Sequence, residues 1–308
     1  MGEVHQSKRR GYQMHSRRQF LKALAMAAVS RPAPSPLPDK IVAAWHWAFT
    51  TPPTLASVMT AAPQYNHASW AVAVGDGGKG GGVTVSTVVQ VSDIKAWKAS
   101  GRSIVLLVGS WEDRGLVLLN LTHVRQFVSS IIPLIDSCGF QGIDWDLEHG
   151  SMQWAPAMMA TASRRLRAHY GSDFIIAASP RPFEINGPDQ LYMQFVADFG
   201  LANIDLIQPQ FYGRAGQDDA WFLHDYIAWD LEVMINMLGV PASKILLGCS
   251  DVSAGLGAPG SPATYAAAYG KACAGGKDIR GAIFWNDMED QKNGWTFAHQ
   301  MSEAIRRI

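Results

Sequence analysis

Asp144, Asp146 and Glu148 alternate with apolar residues in the stretch QGIDWDLEHG, residues 141 to 150. A period of two is typical of a β-strand, so the three carboxylates share one face. Ionised carboxylates at this density repel each other and resist desolvation, so at least one is expected to hold a proton near neutral pH. Such a cost is normally tolerated at a site that uses it, and this face is the first candidate functional site.

Helical patterns flank this strand on both sides. The upstream run, residues 123 to 140, has apolar residues at helical spacing and stops at Gly139, and the downstream run stops at Gly171. A strand between two such helices is usually parallel and buried on both faces. We therefore expect the acidic face to be buried, and we expect Trp145, on the opposite face, to pack against helices.

Strand-like and helix-like runs alternate from residue 40 to the end of the chain. Strands are predicted at 40 to 49, 67 to 74, 103 to 110, 142 to 148, 174 to 180, 204 to 212, 244 to 250 and 281 to 287. Helices are predicted near 54 to 62, 91 to 99, 123 to 138, 153 to 170, 189 to 200, 219 to 238, 263 to 274 and 296 to 307. This rhythm favours an α/β fold, a single-domain (β/α)₈ TIM barrel over residues 39 to 308. An open doubly wound sheet is the competing architecture, and it typically needs fewer strands.

A barrel brings the carboxyl ends of its strands to one rim, where the chemistry of such folds takes place. Asp146 and Glu148 end the fourth predicted strand, Tyr212 ends the sixth and Trp285 ends the eighth. These acidic and aromatic side chains are therefore expected to converge.

The first 38 residues differ in composition from the rest of the 308-residue chain. Arg17 and Arg18 precede a short alanine-rich apolar run, and the proline-rich stretch RPAPSPLPD follows. This arrangement resembles a twin-arginine export signal with a spacer, and it predicts a secreted or periplasmic protein. A basic disordered tail is the alternative. No run of 18 apolar residues occurs, so no membrane span is predicted.

Charge and cysteine content narrow the class of partner. Residues 1 to 30 hold six Lys or Arg and one acid, so the remainder has 20 basic against 25 acidic residues. A mildly acidic domain argues against nucleic acid as a partner and is compatible with a neutral polysaccharide.

Three cysteines at unrelated spacings give no metal motif, and isolated thiols are favoured over a Cys249 to Cys273 bridge. A monomer without cofactor or metal is expected.

The stretch from 141 to 148, Q-G-I-D-W-D-L-E, resembles the D-G-x-D-x-D-x-E pattern of glycoside hydrolase family 18, and within it the hevamine-like class III chitinases. Three later stretches, QPQFYG, SKILLG and GAIFWNDMEDQKNGW, are similar to the family's sixth, seventh and eighth strands. The similarity covers residues 40 to 308 in the same order. It implies a retaining glycosidase that cuts β-1,4 bonds next to N-acetylglucosamine, in the first instance a chitinase.

The resemblance also implies a role for each carboxylate. Glu148 would protonate the glycosidic oxygen and later activate water. Asp146 would orient and stabilise the substrate's own N-acetyl group, whose carbonyl oxygen attacks the anomeric carbon to give an oxazolinium ion. Asp144 would share a proton with Asp146, in agreement with the repulsion expected on this face.

Aromatic and amide side chains would complete the site. By the same resemblance, Tyr212 would bond to the acetamide, Gln210 would line the site and Trp285 would stack beneath the sugar. Trp47 and Trp111 lie at or near strand ends, where aromatic faces stack on pyranose rings. Packing in the core or at the rim is the equal alternative for these two.

The chain departs from the family pattern at four places, one of them the third strand, where the family's S-x-G-G reads Leu107, Val108, Gly109 and Ser110. Gln141 replaces the first motif aspartate, and because it keeps a hydrogen bond without a charge, it is expected to alter the titration of the acids. Gly213 stands where an asparagine follows the tyrosine, and the first strand lacks a clear counterpart of a frequent tyrosine. Three alternatives stay open: a lysozyme-like activity on peptidoglycan, an endo-β-N-acetylglucosaminidase acting on glycans, and a non-catalytic sugar-binding protein on the same barrel.

Overall fold

The computed structural model describes residues 37–48, 52–78, 80–110, 113, 115–148, 153–186, 191–212, 226–250 and 260–308. The predicted twin-arginine signal, residues 16 to 30, lies outside these ranges. In the described part, no helix has the length and apolar character that crossing a membrane requires.

The strands of the described part form a parallel barrel with small additions. In chain order they are β1 Ile41–Trp47, β2 His67–Gly75, β3 Val83–Val85, β4 Ser103–Gly109, β5 Val117–Leu118, β6 Gly142–Asp146, β7 Gln153–Trp154, β8 Ile175–Ala178, β9 Leu206–Ile207, β10 Leu246–Ser250 and β11 Gly281–Trp285. The main sheet runs in the order β10, β11, β1, β2, β4, β6, β8, β9, with β3 antiparallel to β2.

The two ends of this sheet meet. Parallel bridges join Ile207 to Ile245 and Gln210 to Gly248, so that β9 lies beside β10. The eight parallel strands therefore form a nearly closed barrel, and the predicted TIM-barrel architecture is confirmed. The open doubly wound alternative is excluded by this closure.

Helices lie between the strands in the predicted places. They are α1 Leu55–Ala61, α2 Val91–Ala99, α3 Leu121–Cys138, α4 Pro156–Tyr170, α5 Pro182–Asn186, α6 Leu191–Phe199, α7 Ala228–Glu232, α8 Pro262–Ala274, α9 Asp287–Lys292 and α10 Thr296–Arg306. After α7 the chain continues as a π-helical segment, Val233–Met237. The first part of the helix predicted at 219 to 238 lies outside the described residues. Two short helices, α5 and α9, were not predicted.

Helix α3 shows how local sequence fixes the ends of an element. The Asn120 side chain accepts hydrogen bonds from the backbone N–H groups of Thr122 and His123, which places the start two residues before the predicted one. Gly139 ends the helix with φ +84°, a left-handed conformation that glycine adopts without strain. This end was predicted from the sequence, and it directs the chain into β6.

The strands have two buried faces. Ile41, Ala43 and Trp45 of β1 belong to the cluster inside the barrel, whereas Val42 and Ala44 pack outward against the helices. On β6, the Trp145 ring stacks on Phe127 of α3, with 5.0 Å between ring centroids. The expectation that Trp145 packs against helices is confirmed, and its neighbours Asp144 and Asp146 face inward.

The cysteines form no bridge. Cys138, Cys249 and Cys273 are free thiols, the first two buried and the third half-buried. The isolated-thiol prediction is confirmed, and the alternative Cys249 to Cys273 bridge is not formed.

Candidate active site

Strand β6 places the three acids toward the carboxyl end of the barrel strands. Asp144 and Asp146 lie within the strand, and Glu148 follows its last residue by two positions. Their exposed fractions rise along the strand, from 0% for Asp144 through 2% for Asp146 to 8% for Glu148. The predicted burial of the acidic face is confirmed, and Glu148 is the acid nearest to solvent.

Asp144 is held by four hydrogen-bond donors from four other strands or strand ends. Ser179 Oγ donates to its Oδ1 at 2.8 Å. Ser69 Oγ, Gln208 Nε2 and the Trp45 indole Nε1 donate to its Oδ2 at 2.9, 2.8 and 3.3 Å. Burial raises the pKa of Asp144 to about 6, and the four hydrogen bonds act against that rise by favouring the charged form.

Asp146 lies buried beside the other two acids. Its Oδ1 accepts a hydrogen bond of 2.8 Å from Gln210 Nε2. Burial raises the pKa of Asp146 well above its usual range, and the negative charges of Glu148 and Asp144 raise it further. The repulsion expected from the sequence is therefore present in the structure, where it raises the pKa of Asp146.

Glu148 is paired with a cation. Arg181 Nη2 donates to Glu148 Oε2. Arg181 lies just after β8, before α5, and the backbone N–H of Arg181 donates to Oε2 of the buried Glu184 at 2.8 Å. Neither Arg181 nor Glu184 was predicted as a site residue from the sequence.

Aromatic rings form one wall of the site. Tyr212 meets Trp45 edge-on at 6.2 Å between centroids, and Trp285 lies 5.8 Å from Trp45 and 4.7 Å from Trp47. Burial, followed by the charges of Asp146 and Glu148, raises the pKa of Tyr212 well above its usual range, so its hydroxyl keeps its proton. The structure therefore brings Tyr212, Trp285 and Trp47 together beside the acids, while Trp111 lies outside the described residues.

Gln141 lies apart from the acids. Its side-chain Oε1 accepts a hydrogen bond of 3.1 Å from the backbone N–H of Ile104, near the start of β4. It precedes the first residue of β6 and so lies at the opposite end of the strand from Glu148. None of the hydrogen bonds described for Asp144 and Asp146 involves it. This hydrogen bond ties β4 to the start of β6, and the expected effect of Gln141 on the titration of the acids stays a prediction.

Several site residues were missed by sequence reasoning. Ser69, Ser179 and Gln208 are polar residues in or beside otherwise apolar barrel strands, which is the same signal that marked the acids. Arg181 stands between two prolines directly after a strand, and no pattern singled it out. In the part of the chain that the structure describes, no group of three or more His, Cys, Asp or Glu side chains is arranged to hold a metal ion.

The chain is similar to known proteins in sequence and in structure. No family model matches it. Chitinase ChiA of Flavobacterium johnsoniae is 25% identical over 196 residues, covering 56% of this chain and 12% of the relative. Exochitinase 1 of Streptomyces olivaceoviridis is 31% identical over 113 residues, covering 32% and 19%. The chain thus spans less than a fifth of the length of these two relatives.

Other relatives match over most of the chain. A chitinase of Enterococcus faecalis is 23% identical over 245 residues, 70% of this chain and 69% of the relative. The crystal structure of a putative chitinase A from Streptomyces coelicolor superposes with a TM-score of 0.75 at 21% identity, covering 88% of this chain and 99% of the other. A family GH18 chitinase from Chromobacterium violaceum gives 0.74 at 19% identity, covering 88% and 85%.

The predicted resemblance to glycoside hydrolase family 18 is confirmed. The structural likeness shows the fold, a TIM barrel, and the sequence matches are all to chitinases. The narrower likeness to the hevamine-like class III members of family 18 stays a prediction.

Proposed function

We propose that this chain is a glycoside hydrolase that cleaves β-1,4 bonds next to N-acetylglucosamine, with chitin or its oligomers as substrate. The observation that supports this most is the graded acid series on β6. Burial and the neighbouring charges raise the pKa of Asp146 inside the barrel, and Glu148 stands at the rim beside an aromatic wall. A proton donor at the rim with a stabilising acid behind it is what cleavage of a glycosidic bond requires.

In the first step of the proposed reaction, Glu148 gives its proton to the glycosidic oxygen as the bond from that oxygen to the anomeric carbon breaks. The carbonyl oxygen of the substrate's N-acetyl group attacks the same carbon and forms an oxazolinium ion. Asp146 lies two residues before Glu148 on the same strand face and stabilises the positive charge on the acetamide nitrogen. Asp144, whose pKa is raised to about 6, shares a proton with Asp146.

In the second step, water adds to the anomeric carbon, the oxazolinium carbon–oxygen bond breaks and Glu148 takes the proton of the water. The two displacements together keep the anomeric configuration. Tyr212 and Gln210 hold the acetamide and Asp146 in place, and Gln210 bonds to Asp146 directly. Trp285 and Trp47 offer ring faces to the sugar.

Export by the twin-arginine route, to the periplasm or the medium, and action as a monomer are further parts of this proposal. They rest on the sequence of residues 16 to 30 and on a barrel that brings its own acids and aromatic wall together. Peptidoglycan and glycoprotein glycans carry the same sugar linkage, and they are the alternative substrates.

The test is release of reducing ends from N-acetylglucosamine hexamer by the barrel, residues 39 to 308. Glu148→Gln removes the proton donor and keeps the shape, so kcat is expected to fall by about 10²-fold or more. Glu303→Gln is the matched control, because Glu303 lies on α10 and is paired only with Arg307 among its described ionic contacts.

Equal loss in both variants, or full activity in Glu148→Gln, would overturn the assignment of the acid. Tight binding of the hexamer by calorimetry without any turnover by the folded wild-type protein would replace the enzyme with a sugar-binding protein. Turnover of peptidoglycan fragments but not of the hexamer would replace chitin as the substrate.

A further inference from the structure

Tyr192 bonds to the backbone of the acid strand. This tyrosine lies at the start of α6 and is buried, with an exposed fraction of 2%. Its hydroxyl accepts a hydrogen bond of 2.7 Å from the backbone N–H of Leu147 and donates one of 3.2 Å to the carbonyl of Trp145. The two bonds therefore span Asp146 and reach the residue directly before Glu148.

The hydroxyl takes the place of a strand partner at the end of β6. The Ser179 N–H donates to the Trp145 carbonyl at 2.8 Å, so this side of β6 faces strand β8. Strand β8 ends at Ala178, and Pro180 follows two residues later. A backbone N–H that is buried away from water needs a hydrogen-bond acceptor. The Leu147 N–H finds its acceptor in a side chain rather than in the sheet.

The peptide group between Asp146 and Leu147 is held at both of its ends. Its carbonyl oxygen, that of Asp146, accepts a hydrogen bond of 2.8 Å from the backbone N–H of Ser110, which follows β4. Its N–H, that of Leu147, donates to Tyr192. Ser110 has φ +122°, a conformation that residues with side chains rarely adopt and that persists where the surroundings enforce it. Because a peptide group is planar, holding both ends leaves it little freedom to rotate.

The Tyr192 hydroxyl is suited to both of its bonds. Burial raises the pKa of Tyr192 well above its usual range, and the negative charge of Glu184 adds to that rise, so the hydroxyl keeps the proton that it donates. The ring is held by Trp154 of β7, which meets it edge-on with 5.3 Å between ring centroids. Packing against β7 therefore sets the position of the hydroxyl oxygen.

We propose that Tyr192 is a positioning residue, whose hydroxyl fixes the peptide group that links Asp146 to Leu147. The orientation of this peptide group sets the distance and the angle between the carboxyl groups of Asp146 and Glu148, because only a few dihedral angles separate them. A displacement of about 1 Å between groups that act together can lower a rate by about 10²-fold. This inference rests on the proposed function, in which one acid protonates the glycosidic oxygen while the other stabilises the acetamide.

The test compares kcat and KM for N-acetylglucosamine hexamer in the full wild-type chain and in Tyr192→Phe. Phenylalanine keeps the ring and removes only the oxygen, so the variant is expected to fold. We expect kcat to fall by about 10-fold, because the two acids act together in the first step. We expect KM to change by less than about twofold, because the change leaves the aromatic wall intact.

A second measurement does not depend on activity. Without the oxygen, the Leu147 N–H loses its acceptor, so its amide hydrogen exchange, followed by NMR, is expected to become about 10-fold faster. Tyr269→Phe is the matched control. Tyr269 is also fully buried, and its hydroxyl donates to the backbone carbonyl of Ile279 at 3.4 Å, before β11 and at the opposite end of the barrel from the acids. This variant should keep the wild-type kcat and the wild-type exchange at Leu147.

An unchanged kcat in Tyr192→Phe, with active wild type, overturns the inference and leaves the proposed function standing. A rise in KM at constant kcat also overturns it, because the hydroxyl would then act on binding. Equal falls of kcat in Tyr192→Phe and Tyr269→Phe overturn it as well, since the cause would be the loss of any buried hydroxyl. Unchanged exchange at Leu147 contradicts the hydrogen bond itself. Absence of turnover in the folded wild type overturns the proposed function, and the role of Tyr192 in catalysis falls with it.

Discussion

Two buried side chains, Asp144 and His67, give the stability of this protein opposite responses to pH. Burial raises the pKa of Asp144 to about 6, so its contribution is full below the usual value near 3.8 and is lost as pH rises through 6. Burial lowers the pKa of His67 from 6.5 to about 3, so its contribution is present above 6.5 and is lost as pH falls toward 3. Both shifts have the same cause, because burial disfavours the charged form of each group.

Replacement of His67 should make unfolding less sensitive to acid. Between pH 7 and pH 5 the unfolded wild type binds a proton at His67 that the folded protein does not bind. The free energy of unfolding is therefore lowered by about 2 kcal/mol. His67→Gln has no such group, so its free energy of unfolding should fall less over this interval. Urea unfolding of both proteins at the two pH values measures the difference. Parallel falls in the two proteins would show that His67 does not carry this sensitivity.

At the scale of elements, a buried pair joins β1 to the start of α9. His46 Nδ1 lies 2.5 Å from Asp287 Oδ2, and both side chains are 2% exposed. Asn286 caps α9 by accepting the Glu289 N–H at 3.1 Å. These contacts fix the connection that follows Trp285, so the aromatic wall depends on a pair that itself lies outside the site.

Replacing one member of this pair should lower the free energy of unfolding more than replacing both. His46→Leu leaves the buried Asp287 carboxylate uncompensated, and we expect a loss of about 3 kcal/mol in the free energy of unfolding. Asp287 Oδ1 has no hydrogen-bond partner among the described residues, which adds to that cost. The double variant His46→Leu/Asp287→Leu should recover part of the loss, and urea unfolding in a double-mutant cycle measures the coupling. Strictly additive losses would argue against a pair.

The elements also show what the sequence could reveal. Periodicity located the eight barrel strands and their large helices, because burial on a fixed face imposes a repeat. Helices α5 and α9 have five and six residues, too few for a helical repeat to stand out. The acids of β6 were found because charge is rare in a buried strand. The pairing of Arg181 with Glu148 was not found, because it depends on how two strand ends meet.

At the scale of the whole molecule, the barrel depends on the close approach of the last strand, β11, to the first, β1. A Cβ at Gly281 of β11 would lie 1.8 Å from the carbonyl oxygen of Ile41 of β1. The backbone of two paired strands cannot move aside as a flexible side chain can. Close packing of β11 against β1 at this position therefore requires glycine.

Gly281→Ala should therefore destabilise the barrel by about 1–3 kcal/mol. Gly270→Ala is the control, since Gly270 lies in α8 and a Cβ there would have open space within 4 Å, so this change should be neutral or gain up to about 1 kcal/mol. Thermal and urea unfolding of the two variants give the comparison. A Gly281→Ala protein as stable as Gly270→Ala would mean that β1 and β11 can move apart at this position without loss of stability.

The indole of Trp45 donates to Asp144 and touches the rings of Tyr212 and Trp285. A change of charge on that carboxyl alters the electric field at a buried chromophore. We therefore expect the part of the tryptophan emission that comes from Trp45 to change as Asp144 ionises near pH 6, which would make this indole an optical reporter that needs no label.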